Sequence, residues 1–154
     1  MAVKGEARDF YKKFKFVVEI DGFAYAGFQK CSKLEAIIAV AEQSEGGSII
    51  PNKSASRVKF TDITLDRGAT DDLDMFNWFK TVVDAAANSG GAPASYKRNL
   101  DIVQQARDGT TKRRWRLTGA FPTMFSPGEW DNDSDDNAIE SAKLTFDLFD
   151  LVKP

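Results

Sequence analysis

The chain has 154 residues, 42% apolar and 29% charged, with a net charge of -2. This length supports one domain with its own core, and the charge provides no basic field to grip nucleic acid through its phosphates. Histidine is absent and Cys31 is the only cysteine, which excludes Ser-His-Asp and Cys-His nucleophilic sites, the usual zinc ligands and an internal disulfide.

Met1 to Lys15 is charged and lacks the apolar run of a secretory signal. No stretch reaches the roughly 18 apolar residues of a membrane helix. The expectation is a single domain over 1–154, made in a cytoplasm, with 1–13 as an N-terminal arm that is flexible or meets another subunit.

The first predicted strand alternates Phe14, Phe16, Val18 and Ile20 with Lys15, Val17 and Glu19. Asp21-Gly22 then reads as a two-residue hairpin turn, leading into a strand from about Phe23 to Cys31. Cys31 lies in this alternating segment, which favours a packed side chain over a reactive thiol. Leu34 to Glu45 is apolar first and acidic later, and its Leu-Glu-Ala-Ile-Ile-Ala-Val-Ala-Glu run is compatible with helix by propensity. Glu45-Gly46-Gly47-Ser48 through Pro51-Asn52-Lys53 reads as an exposed loop. Val58 and Phe60, then Ile63 and Leu65, are apolar at period two but out of phase, which predicts a bulge near Thr61-Asp62.

From Thr70 the period lengthens. Thr70 reads as the N-cap, with Asp71 and Asp72 at the positive end of the helix dipole, and Asn88-Ser89-Gly90-Gly91 as the stop. Leu73, Phe76, Trp78, Phe79, Val82 and Val83 form the apolar stripe that would lay this helix on a sheet. Leu100, Ile102 and Val103 mark the next strand, closed by a turn at Asp108-Gly109. The return strand sets Arg113, Trp115, Leu117, Gly119 and Phe121 against Lys112, Arg114, Arg116 and Thr118. The last strand sets Ala142, Leu144, Phe146 and Leu148 against Ser141, Lys143, Thr145 and Asp147. The fold class that follows is mainly β, an antiparallel sandwich or barrel with one packed α-helix.

Order and spacing then carry a resemblance over roughly Phe14 to Leu151. Phe16-Val17-Val18-Glu19-Ile20-Asp21-Gly22 leads to Ala26-Gly27-Phe28 and a Cys31-Ser32-Lys33-Leu34 corner. Glu45-Gly46-Gly47 precedes a loop, and Ile63-Thr64-Leu65-Asp66-Arg67-Gly68 leads into a helix carrying Trp78-Phe79. Trp115-Arg116-Leu117-Thr118-Gly119-Ala120-Phe121-Pro122 follows, then a closing strand near Ile139-Glu140. This succession resembles the tail tube protein family of contractile phage tails and contractile injection systems, and more distantly the type VI secretion tube protein. It departs from the family at Cys31-Ser32-Lys33, where a Ser-Gly corner is expected, and in its more acidic Asp131 to Asp136.

The resemblance implies a structural protomer without catalytic residues or cofactor. Its long strands would join those of neighbours into a ring-shaped β-barrel, and hexameric rings would stack into a hollow conduit, which removes the free edges that long strands leave. Partners would be further copies of itself, a sheath, baseplate or tube-initiating proteins and a terminator. Double-stranded DNA or protein cargo would pass through the lumen without specific binding, in a virion tail or an assembled injection particle. Two rival readings are a monomeric β-barrel module binding a ligand, and a ring-forming tail adaptor that does not polymerise.

The candidate site residues follow from this. Gly46, Gly47, Ser48, Pro51, Asn52 and Lys53 are a candidate ring-stacking loop. Lys112, Arg114 and Arg116 share one strand face that would meet another subunit or a sheath. Glu35, Glu42 and Glu45 are candidate lumen acids, whose like charge would keep DNA from sticking. Trp78, Trp115 and Phe146 are core anchors. Asp131-x-Asp133-x-Asp135 mimics part of a calcium loop, but Asp136 stands where such a loop needs glycine and Ala142 where it needs glutamate, so no metal is assigned.

Overall fold

The computed structural model describes residues 15–23, 27–44, 46–47, 49–87 and 96–154. In chain order these form β1 (Phe16–Ile20), β2 (Lys30–Cys31), β3 (Ala36–Gln43), β4 (Asn52–Phe60) and β5 (Ile63–Gly68). Helix α1 (Asp74–Ala87) follows, then β6 (Arg98–Gln105), β7 (Thr111–Ser126), β8 (Ile139–Thr145) and β9 (Leu148–Val152). The main sheet runs β1-β6-β7-β8-β5-β2 with β9 also paired to β7, and among the described residues β3 and β4 pair only with each other. Every pairing is antiparallel. The mainly β class with one helix holds.

The long strand β7 organises the core because it serves both halves of the sheet. Its first half pairs with β6 and β9, and its second half pairs with β8. The change occurs at Gly119, whose φ of 69 is the left-handed conformation that glycine adopts without steric cost. A Cβ there would meet the Asp147 carboxylate, which would have to swing aside. Val18, Ile20, Leu100 and Leu117 from one half face Ile63, Leu65, Ala142 and Leu144 from the other, and α1 adds Met75 and Trp78.

This bend corrects two sequence expectations. The buried face predicted through Gly119 and Phe121 changes phase, so that Leu117, Ala120 and Pro122 are buried while Phe121 is half-buried, edge-on to Tyr96 at 5.1 Å. The predicted single closing strand is two strands. The chain breaks at Phe146-Asp147, where the Asp147 N–H donates to the Thr118 carbonyl at 2.9 Å, and Leu148 emerges exposed.

Other differences have the same long-range origin. Asp21-Gly22 is a turn, with Gly22 at φ 85, but β1 pairs with β6 and not with the segment that follows. Among its described residues that segment is strand only at Lys30–Cys31, bonded to β5. Leu34 to Glu45 forms no helix among its described residues, and Ala36–Gln43 is strand β3. No bulge joins Phe60 to Ile63; Thr61 and Asp62 carry the chain from the hairpin to the main sheet, while the register slip lies between Ile38 and Val40 of the β3–β4 ladder.

The helix begins at Asp74, four residues after the predicted cap. Asp72 Oδ1 accepts the Asp74 N–H at 3.0 Å, whereas Thr70 Oγ1 accepts from Asp72. Its inward face is Met75, Trp78, Phe79, Val82 and Ala85, while Leu73, Phe76 and Val83 of the predicted stripe are exposed. Phe14, Ala26, the Asn88–Gly91 stop and the 1–13 arm lie outside the described residues.

Candidate functional site

The β3–β4 hairpin stands apart from the rest of the fold. Every strand residue in it is exposed except Phe60. Phe60 anchors the root by packing on Phe146 at 6.0 Å and Phe149 at 5.3 Å, and the Thr61 N–H donates to the Glu35 carbonyl at 3.0 Å. Cross-strand partners share a face, so the pairs Ala36–Phe60, Ile38–Val58, Val40–Ala55 and Glu42–Lys53 lie on one side. On that side Ile38, Val40 and Val58 are 51–59% exposed. The other side presents Ile37, Ala41, Ser54 and Lys59. An isolated two-stranded ribbon is marginal in water, and a contiguous exposed apolar face marks an interaction surface.

The candidate stacking loop divides. Asn52 and Lys53 belong to β4, paired with Gln43 and Glu42, while Gly46, Gly47 and Pro51 lie in the connection. Ile49 beside them is 98% exposed. Of the candidate lumen acids, Glu35 sits at the hairpin root 3.9 Å from Lys33 Nζ, and Glu42 lies on the apolar face near its far end. Ser48 and Glu45 lie outside the described residues.

The basic strand is matched by acids that the sequence reading did not pair with it. Register brings Glu19, Asp101, Arg116 and Asp150 into one row across β1, β6, β7 and β9. Arg114 Nη1 donates to Glu19 Oε2 at 2.7 Å and to Asp101 Oδ2 at 2.8 Å, and Arg116 Nε donates to Asp101 Oδ1 at 2.9 Å. Two of the three cations thus hold the outer face of the sheet together, and Lys112 remains exposed beside the Asp108-Gly109 turn. The one sequence signal for Asp101 was a lone carboxylate inside Leu100-Asp101-Ile102-Val103.

Burial pushes the Asp101 carboxyl up, but the hydrogen bonds and charges of Arg116 and Arg114 outweigh it and hold the group below its ordinary value. A depressed carboxylate stabilises the fold above its unfolded pKa, and this contribution is lost as pH falls through the folded value. Urea midpoints should therefore be level above about pH 5 and fall below about pH 4. Asp101→Asn should cost about 1–3 kcal/mol at pH 7 and flatten part of that decline; an unchanged acid profile would assign it to other groups.

Of the three core anchors, Trp78 and Phe146 are buried and Trp115 is half-buried, its Nε1–H donating to Gln104 Oε1 at 3.1 Å. The acidic run folds on itself through Asp131 Oδ1, which accepts the Asp133 N–H at 3.0 Å, beside a largely exposed Trp130. Among the described residues no three His, Cys, Asp or Glu side chains gather to hold a metal. Among the described residues no helix is long and apolar enough to cross a membrane.

The family described as T4-like virus tail tube protein gp19 matches residues 12–150. This chain belongs to that tail tube family. It is a structural tube protein and not an enzyme. No curated protein matches it. The tail tube fold is shared with a chain of the six-fold symmetrised baseplate of the anti-feeding prophage, at TM-score 0.77 and 18% identity over 95% of this chain and 97% of that one. It is also shared with a chain of the sheath–tube complex of an extracellular contractile injection system in its extended state, at TM-score 0.77 and 22% identity over 92% and 90%. A type six secretion system protein is more distant, at TM-score 0.52 and 12% identity over 90% and 82%.

Proposed function

We propose that this tail tube protein closes into hexameric rings, and that the rings stack into a hollow conduit for DNA or protein cargo inside a contractile sheath. The observation that carries the reading is the β3–β4 hairpin, two long strands exposed on both faces except at Phe60 and, among the described residues, paired only with each other. Such a ribbon becomes stable when neighbouring copies cover its apolar face and complete its edges. Support for the six-fold ring and for the sheath comes from the symmetry and the composition of the two assemblies whose chains share this fold. In the stack, Gly46, Gly47 and Pro51, with the exposed Ile49, form the tip that bridges one ring to the next.

Negative-stain electron microscopy across a concentration series tests this. Hollow tubes with a regular axial repeat, or six-fold rings that stack when a tube initiator is added, are the expected result. Monodisperse monomers at the highest concentration would overturn the reading, and rings that never stack would favour the adaptor.

A further inference from the structure

We infer that the charged face of the β1-β6-β7-β9 ladder forms a conduit wall without net charge, which fits a protein cargo and not duplex DNA; this rests on the ring reading above and names the cargo class. The free edges of this ladder, among the described residues, are β1 and β9. Its two faces differ. One carries Val18, Ile20, Leu100 and Leu117 and packs into the core with the β5–β8 half and α1. The other carries Val17, Glu19, Arg116, Leu148 and Asp150, all of them exposed. When such sheets close edge to edge into a ring, the inside has the shorter circumference. The helix and the second half of the fold therefore have room only on the outside, and the uncovered face turns to the lumen. The wall then comes from β1, β6, β7 and β9, and not from Glu35 and Glu42, which lie before and on β3.

The charges of this wall cancel. On its four strands Glu19, Asp101 and Asp150 stand against Lys112, Arg114 and Arg116. Arg114 is held by both Glu19 and Asp101 and is mostly covered. The Arg116 side chain is 47% exposed although its Nε donates to Asp101, and Lys112 is exposed as well. Each copy in a ring repeats these two reachable cations. Duplex DNA brings one negative charge per about 1.7 Å of its axis, and phosphates compete with carboxylates for guanidinium and ammonium groups. A polyanion inside would draw Arg116 and Lys112 off their carboxylates ring after ring, and would be held. An acidic wall would repel it, but this face has no surplus of carboxylates with which to do so. A folded protein carries both signs at low density, and a wall without net charge neither retains nor repels it.

Two measurements on assembled tubes test this. The first places the face: Asp150→Cys in a Cys31→Ser background should react with a small maleimide and resist a maleimide linked to a carrier protein too large for the conduit. Reaction with the carrier would put the face outside, and reaction with neither would bury it in a contact. Either result overturns the inference, while the tubes themselves keep the ring reading intact. A parent protein that never leaves the monomer would remove both. The second measurement reads the cargo class by sedimenting a short fluorescent DNA duplex with the tubes at low salt. Parent tubes should retain about 10-fold more DNA than Lys112→Glu tubes and release it as salt rises. Lys112 is exposed, so the variant should fold, and Lys112→Gln replaces it if the acidic form does not assemble. DNA retained by neither parent nor variant would overturn the protein assignment and show that DNA fits this conduit.

Discussion

Replacing Trp78 with alanine is expected to lower stability by about 3–5 kcal/mol, a large part of the about 5–15 kcal/mol that holds a typical domain together. Trp78 is 1% exposed and ties three elements to one another. Its ring meets Phe23 edge-on at 5.7 Å, and the Arg98 guanidinium lies 5.4 Å from its centroid. Its Nε1–H donates to the Tyr96 carbonyl at 2.6 Å. Alanine would leave a large cavity between α1 and the sheet and an unpaired carbonyl. A fall in melting temperature of about 10 °C or more is the expected reading for a chain of this size. Trp78→Phe fills most of the space but cannot donate, so about 1–2 kcal/mol should be lost. A Trp78→Ala protein that melts like the parent would mean that the helix does not rest on the sheet before assembly.

The second large effect is expected at Arg67, the charge at the heart of the β5–β8 half. Its side chain is 4% exposed, yet it stands on the inward face of β5 in line with Ile63 and Leu65. Arg67 Nε donates to Glu140 Oε1, Nη2 donates to the Asp72 carbonyl at 3.3 Å, and Nη1 lies 3.5 Å from Asp72 Oδ2. The guanidinium thus fastens β8 and the helix entry to one strand. Arg67→Met should cost about 3–5 kcal/mol because it leaves the largely buried Glu140 carboxylate without its cation. Arg67→Met combined with Glu140→Leu should recover most of that loss, since an apolar pair of similar volume replaces two desolvated charges. Urea unfolding of both variants decides the matter. A single variant as stable as the parent would show that water reaches the carboxylate, and a double variant no better than the single would show that Arg67 acts through packing of its stem.

The lone cysteine illustrates how burial governs chemistry here. Burial pushes the Cys31 thiol up to about 11, so at neutral pH it stays protonated and poorly nucleophilic. That matches a side chain which fills space near the β2 corner, and the protonated thiol donates to the Ser32 carbonyl at 3.2 Å.

What the sequence determined by itself was whatever depends on near neighbours. Alternation placed Val18 and Ile20 inward on β1, and Ala142 and Leu144 inward on β8, because side chains of a strand point to opposite faces at a period of two. The longer period found α1, and glycine at Gly22 and Gly109 marked turns because those positions need positive φ. The order of these pieces was enough to reach the tail tube family. Tertiary structure decided everything that depends on which strands meet. Local propensity made Leu34 to Glu45 compatible with helix, but pairing with β4 made it a strand, because strand preference is set by cross-strand partners. Gly119 and Asp147 look like ordinary members of alternating runs, but β7 changes partners at the positive φ of Gly119, and the closing strand breaks where the Asp147 N–H donates to the Thr118 carbonyl. Nothing in the sequence marks Arg67 as buried; register sets it beside Glu140, and the helix entry at Asp72 and the Phe28 ring enclose it. The basic cluster of β7 likewise appeared free until the ladder set Glu19 and Asp101 beside it, since charges that lie far apart along the chain become neighbours only through sheet register.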